Sequence, residues 1–260
     1  MCPALFIMSW ADVEDRYLAI YMSKVSKNAW GWDPDSRFPT TEWTKILGPG
    51  LSKLVMGELY SKYGKPIYSY LRHKGWNDEE AKDLVQGFFT DRVLGRQLFQ
   101  RADRTRGRFR TFLLTAIRNY AIDLHRRRKP TQELKEEFER PDPAESPEAA
   151  FNIVWAQELL RGVLGELEAE CRSRAKQVHW EIFRQWFLES GTSDQKVNMS
   201  AICSQYGIDD PSKAYNMIAN LKERFRAILR RRLRREVGSE AEVDDEIRNL
   251  INTFSQCSTR

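Results

Sequence analysis

Apolar residues return every three or four positions almost from end to end of this chain, and stretches that alternate apolar with polar are absent. That period gathers side chains on one side of an α-helix, so the pattern predicts an all-α protein. Helical spacing first shows between Val13 and Tyr21. After a loop ending at Pro39, Thr41, Glu42 and Trp43 look like a helix start, which Gly48, Pro49 and Gly50 interrupt. Leu51, Leu54, Val55, Leu59 and Tyr63 form the next stripe. Gly64 and Pro66 predict a break or kink before Ile67, Tyr68, Tyr70 and Leu71 resume it. Gly75 closes that helix. Asn77 can cap a helix over 78–94 whose first turn is acidic, as the helix dipole favours. Positions 112, 113, 116, 117, 120, 121 and 124 make a further apolar face and leave Arg118, Asn119 and Asp123 off it.

A polar, acidic tract punctuated by Pro130, Pro141, Pro143 and Pro147 follows, and it cannot bury enough apolar surface to fold alone. Residues 130–148 therefore read as a linker between two helical domains. Beyond it, Phe151, Val154, Trp155, Leu159, Val163, Leu164 and Leu167 form one stripe; Val178, Ile182, Phe183, Trp186 and Phe187 form another. A short helix, "MSAICSQY", is followed by the turn "GIDD" and a long helix from Pro211 to about Val237. Short helix, glycine at the turn and a second helix with a polar start is the helix-turn-helix form. It puts Ser212, Lys213, Tyr215 and Asn216 where a recognition helix meets base edges.

Charge sharpens the picture. Residues 101–129 hold ten Lys or Arg against two Asp, and residues 222–235 hold eight against one Glu. Residues 130–148 and 236–260 are net acidic. Such blocks call for an anionic partner, nucleic acid first, with acidic segments able to screen the basic ones. The apolar middle of "RADRTRGRFRTFLLTAIRNYAIDLHRRRK" would dock one helix face and turn Arg and Asn outward. Arginine forks a phosphate and asparagine can read a base edge. The loop "RADRTRGRF" sets arginines beside Phe109, the combination that holds an unstacked single strand.

Signs of catalysis are weak. "GELYSKYGKP" has the wrong glycine spacing for a phosphate loop, and "DEEAKD" reads as helix-start acids rather than a metal site. His73, His125 and His179 lack partners at recognisable spacing; Cys2, Cys171, Cys203 and Cys257 are scattered as reduced thiols are. No metal, cofactor or enzyme activity is expected. No window offers the ~20 apolar residues of a membrane span, so the expectation is a soluble cytoplasmic protein.

With these residues in view, the chain resembles a bacterial RNA polymerase sigma factor of the extracytoplasmic-function type. "YGKPIYSYLRHKGWNDEEAKDLVQGFFTDRVL" is similar to the first two helices of that family's region 2, and "FRTFLLTAIRNYAIDLHRRRK" to its promoter-melting and −10 segment. "FPTTEWTKIL" and "RGRFRTFLL" resemble a longer-chain subgroup. The resemblance implies an N-terminal extension (1–37), a region 2-like domain (38–129), the linker (130–148), a region 4-like helix-turn-helix domain (149–237) and an acidic tail (238–260). It implies that Asp83, Leu84, Val85, Gln86, Phe88 and Phe89 grip the polymerase's largest subunit. Arg104, Arg106, Arg108, Phe109 and Arg110 would lie in or beside the loop that captures a flipped non-template base, and Arg118, Asn119, Arg126, Arg127, Arg128 and Lys129 on the helix face that meets −10 DNA. Ser212, Lys213, Tyr215, Asn216, Asn220 and Arg224 would read the −35 element. Where the family has Glu-Thr after the glutamine, this chain has Gly87-Phe88, and "DDPSKAYN" departs from the usual serine-rich start of the region 4 helix.

The implied partners are core RNA polymerase, promoter DNA as duplex and as melted non-template strand, and an anti-sigma protein. The competing reading is a stand-alone helix-turn-helix regulator that binds DNA without polymerase. A protein-interaction scaffold and a nucleic-acid enzyme stand further off.

Overall fold

The computed structural model describes residues 53–94, 98, 109–127, 146–189, 198–237 and 239–258. Every regular element among them is helical. The helices expected before residue 53, the arginine loop 100–108 and most of the linker lie outside the described residues. The chain divides into two compact units, one of Phe38–Glu158 with Leu233–Val243, the other of Met1–Arg37, Leu159–Arg232 and Asp244–Arg260.

In the first unit, helix α1 (Lys53–His73) runs on through Pro66, where a break or kink was expected. A proline forfeits one backbone hydrogen bond. Leu59, Tyr63, Ile67, Tyr70 and Leu71, buried on both sides of Pro66, keep the helix committed to one core. Gly75 then takes a left-handed φ of 94°, and the Trp76 N–H returns to the Leu71 carbonyl at 3.2 Å, ending the helix. Helix α2 (Asp78–Gly87) starts on the expected Asn77 cap: its Oδ1 accepts the Glu80 N–H at 2.8 Å while Glu80 Oε2 accepts the Asn77 N–H at 3.2 Å. A π-helical segment, Phe88–Leu94, continues it. Helix α3 (Phe109–Arg127) lays Phe109, Leu113, Ile117 and Tyr120 into the same core. Its aromatic rings meet edge-on or tilted, Tyr63 with Phe109 at 5.4 Å and Phe88 with Tyr120 at 5.6 Å, geometry that ring quadrupoles favour.

Helix α4 (Pro147–Ser173) begins inside the stretch expected to be linker. Ser146 caps it, its hydroxyl oxygen accepting the Ala149 N–H at 3.1 Å, with Pro147 at the first position, where no N–H is needed. Residues 147–158 of α4 belong to the first unit: Phe151 and Trp155 are buried there, and Glu158 pairs with Lys65 at 3.0 Å. Leu233–Val243 adds Glu236, whose carboxylate receives a hydrogen bond from the fully buried Lys62 ammonium.

The second unit holds the remainder of α4, helix α5 (Gln177–Phe183) with a π-helical extension Arg184–Glu189, α6 (Met199–Tyr206), most of α7 (Pro211–Arg234) and most of α8 (Glu240–Ser258). Its core is aliphatic and aromatic: Leu159, Val163 and Leu167 from α4, Trp180 and Phe183 from α5, and Ile218, Leu221 and Phe225 from α7. Helix α8 lies where an acidic tail was expected. Val243, Ile247, Leu250 and Phe254 repeat at helical spacing and are buried, so an apolar stripe lies beneath the acidic surface. At the end of α4 the left-handed position falls to Ala175 (φ 55°), where glycine is usual.

Two expectations follow. Lys62→Ala removes the buried ammonium that faces the Glu236 carboxylate and lowers the stability of the chain by about 3–5 kcal/mol. The double variant Lys62→Met with Glu236→Leu regains most of that loss in urea unfolding. Ala175 is exposed, so Ala175→Gly removes left-handed strain at no packing cost and raises stability by about 1 kcal/mol, read as a higher melting temperature.

Candidate nucleic-acid interface

Helix α3 buries one stripe and therefore has one outward face. Thr111, Thr115, Arg118, Asn119, Ile122 and Arg126 occupy it, all exposed. Arg118 and Arg126 pair with no carboxylate among the described residues. The helix carries one acid, Asp123, and Arg92 of the π-helical segment holds it at 3.0 Å. The outward face of α3 is therefore net cationic, with a polar amide and an aliphatic side chain between its charges.

The residues expected to act at the start of α3 are placed otherwise. Phe109 is 2 % exposed and tilts against Tyr63, so it packs the core and offers no platform for a base. Its place in the stripe is visible in the spacing: Phe109, Leu113 and Ile117 are four apart, so the apolar face begins about one turn before Phe112. Arg110 lies over the Trp155 ring at 4.1 Å and donates to Asn152 Oδ1 at 2.9 Å, so α4 engages it. Arg104, Arg106, Arg108, Arg128 and Lys129 lie outside the described residues, as does the Arg127 side chain.

The expected polymerase contacts divide in the same way. Asp83 and Gln86 are exposed and Leu84 is half-buried. Val85, Phe88 and Phe89 are core residues, at most 4 % exposed, so they can shape a docking surface from below but cannot touch a partner. Their spacing from Ala81 (four, seven and eight residues) is that of a helix's buried side. A Cβ at Gly87 would stand 2.7 Å from the Tyr120 hydroxyl, which itself donates to Asp91 at 3.4 Å.

In the second unit, α6 and α7 occur where the pattern put them, joined through Gly207 in the left-handed region (φ 63°). Asp210 caps α7: its carboxylate accepts the Ser212 N–H at 2.8 Å, and this bond holds its pKa below the usual value. Ser212, Lys213, Tyr215, Asn216 and Asn220 are exposed along the first turns of α7, with Tyr215 edge-on to Trp186 at 5.6 Å. Arg224 is not available in the same way. Its Nε and Nη2 donate to the two oxygens of Glu170 at 2.5 and 2.6 Å, a bidentate fork.

The basic run that follows Arg224 is also matched by carboxylates. Glu166 takes Arg231 and Arg232, Asp244 takes Arg230 at 2.7 Å, and Glu240 takes Arg234 at 3.1 Å. Asp244 and Glu240 come from α8, the acidic segment expected to screen this run.

Residues 59–131 match the family model of sigma-70 region 2. This is a sigma-70 region 2 domain. It spans most of α1, all of α2 and α3, and so contains the outward face just described. A region 2 domain indicates a sigma-70 family sigma factor, a non-enzymatic protein that acts in transcription initiation, and it implies binding to core RNA polymerase and to a promoter. No curated protein and no solved structure matches the chain. No helix among the described residues is long and apolar enough to cross a membrane.

Outside the region 2 domain, the Glu170–Arg224 fork gives a pH signature. The Arg224 hydrogen bonds hold Glu170 below the ordinary glutamate pKa, and Glu170 in turn raises Arg224. In the unfolded chain Glu170 loses these bonds and returns to the ordinary glutamate value. Its contribution is therefore present above that value and is lost as pH falls through the lower folded value. Urea midpoints between pH 6 and pH 3 should fall less steeply for Glu170→Gln than for the parent chain.

Proposed function

We propose that this chain is a sigma factor of the extracytoplasmic-function type, cytoplasmic, directing core polymerase to specific promoters. Its region 2 domain recognises and melts the −10 element; residues 149–237 act as a region 4 domain whose α6–α7 pair reads the −35 element; an anti-sigma protein holds it in reserve. The observation that carries this reading is the outward face of α3, where Arg118, Asn119 and Arg126 are exposed within the matched region. Phosphate contacts by the two arginines would fix the helix on DNA, and Asn119 could bond an adenine edge.

Asp83 and Gln86, exposed on α2 over a packed aromatic base, suit the polymerase contact. On α7, Ser212, Lys213, Tyr215, Asn216 and Asn220 supply the −35 reading surface, while Arg224 serves that surface from behind by fastening α7 to α4 through Glu170. Two modules carried on one polymerase gain affinity by effective concentration, so neither needs to bind DNA tightly alone.

The competing reading, a stand-alone regulator, is supported by the same α6–α7 pair, and one experiment separates the two. Core polymerase should capture the purified chain, and Asp83→Ala with Gln86→Ala should weaken capture about tenfold, as loss of an interface hot spot does. Arg118→Ala with Arg126→Ala should leave capture intact and flatten the salt dependence of promoter binding, by about 0.9 in log–log slope for each duplex phosphate left without its arginine. DNA binding without capture by polymerase would establish the stand-alone regulator instead.

A further inference from the structure

We infer that Ile122 reads the C5-methyl group of a thymine in duplex DNA, making it a specificity-determining residue beside Asn119. The inference rests on the proposed promoter-binding role of α3. Ile122 is 40 % exposed, the one large exposed apolar side chain among those described on that helix, and it sits among polar neighbours. The buried stripe through Leu113, Ile117, Tyr120 and Ala121 does not need it, because it points the other way.

Its surroundings say what would cover it. Arg118 stands four residues before Ile122 and Arg126 four residues after, both exposed. Eight residues of helix advance about 12 Å, and the major groove is wide enough to admit a helix lying along it. In that pose the two guanidiniums can reach phosphates along the rim while side chains between them approach the base edges. Asn119, three residues before Ile122, lies on that same middle strip. Asp123, the neighbour that would repel phosphate, is held by Arg92. A protein partner on this face would need acidic groups for both arginines and an apolar contact between them; duplex DNA offers that pattern by construction. On the major-groove edges of the base pairs, the thymine methyl is the apolar group.

Deoxyuridine differs from thymidine by that methyl alone and keeps the pairing edge, so the test uses it. Polymerase is loaded with the full chain, a transcribed fragment is selected from a genomic pool, and thymines in its upstream duplex are replaced one at a time. The parent holoenzyme should lose about fourfold in binding at one position, the worth of one buried methyl group. The ratio between thymine and deoxyuridine should fall to about one with Ile122→Ala and be partly kept with Ile122→Val. Coupling of this kind isolates the contact from any general weakening. The inference is overturned if no position discriminates, or if discrimination survives in Ile122→Ala. It is equally overturned if Ile122→Ala weakens capture by polymerase and leaves the ratio unchanged, which would make Ile122 a protein contact. Failure of the parent chain to capture polymerase or to yield any transcript is a different result; it removes the sigma-factor reading and this inference with it.

Discussion

Arginine keeps its charge at any pH a protein survives, so an arginine-rich chain must either supply counter-charges or present the charge to a partner. Helix by helix, this molecule does one or the other. Glu166 and Glu170, one turn apart on α4, hold three arginines of α7. Asp244 and Glu240 hold two more. On α3 the logic is reversed: the single acid is occupied by Arg92, and Arg118 and Arg126 remain exposed. Two basic runs that look alike as strings of letters therefore do different work, one as fastening and one as display.

The first unit depends on a charge of a different kind. Lys62 is buried against Glu236, which lies 174 residues further along the chain. A buried ion pair is a poor source of net stability but a strict one, since either partner alone is costly. The unit's aromatic core, with Tyr63 tilted against Phe109 and Phe88 edge-on to Tyr120, comes from local sequence. The Lys62 pair instead ties α1 to the segment just beyond α7.

Much of this was legible in the sequence. The helical period gave the fold class, Asn77 announced the start of α2, and "MSAICSQY" marked α6 to the residue. Arg118 and Asn119 were separable from the core by spacing alone. The failures share a cause. Propensity rules weigh Pro66 locally and allow a break that does not occur, whereas the stripe on either side of it is a property of the whole helix. Phe109 was assigned outward from the arginines around it, and Val85, Phe88 and Phe89 by family likeness, although their spacing already placed them inside. Which arginines are neutralised was not legible, because Glu166, Glu170 and Asp244 meet α7 only through tertiary structure. Ile122 was visible as an apolar residue off the stripe, but its exposure required the packed helix.

The approach of Gly87 to Tyr120 bears on how such a sequence can change over generations. With the hydroxyl 2.7 Å from where a Cβ would sit, any larger residue at position 87 requires the tyrosine to shift. Tyr120 could shrink first at the cost of some core packing; a side chain at 87 could not come first without displacing the ring. Changes at 87 and at 120 are therefore coupled, and the order in which they occur matters.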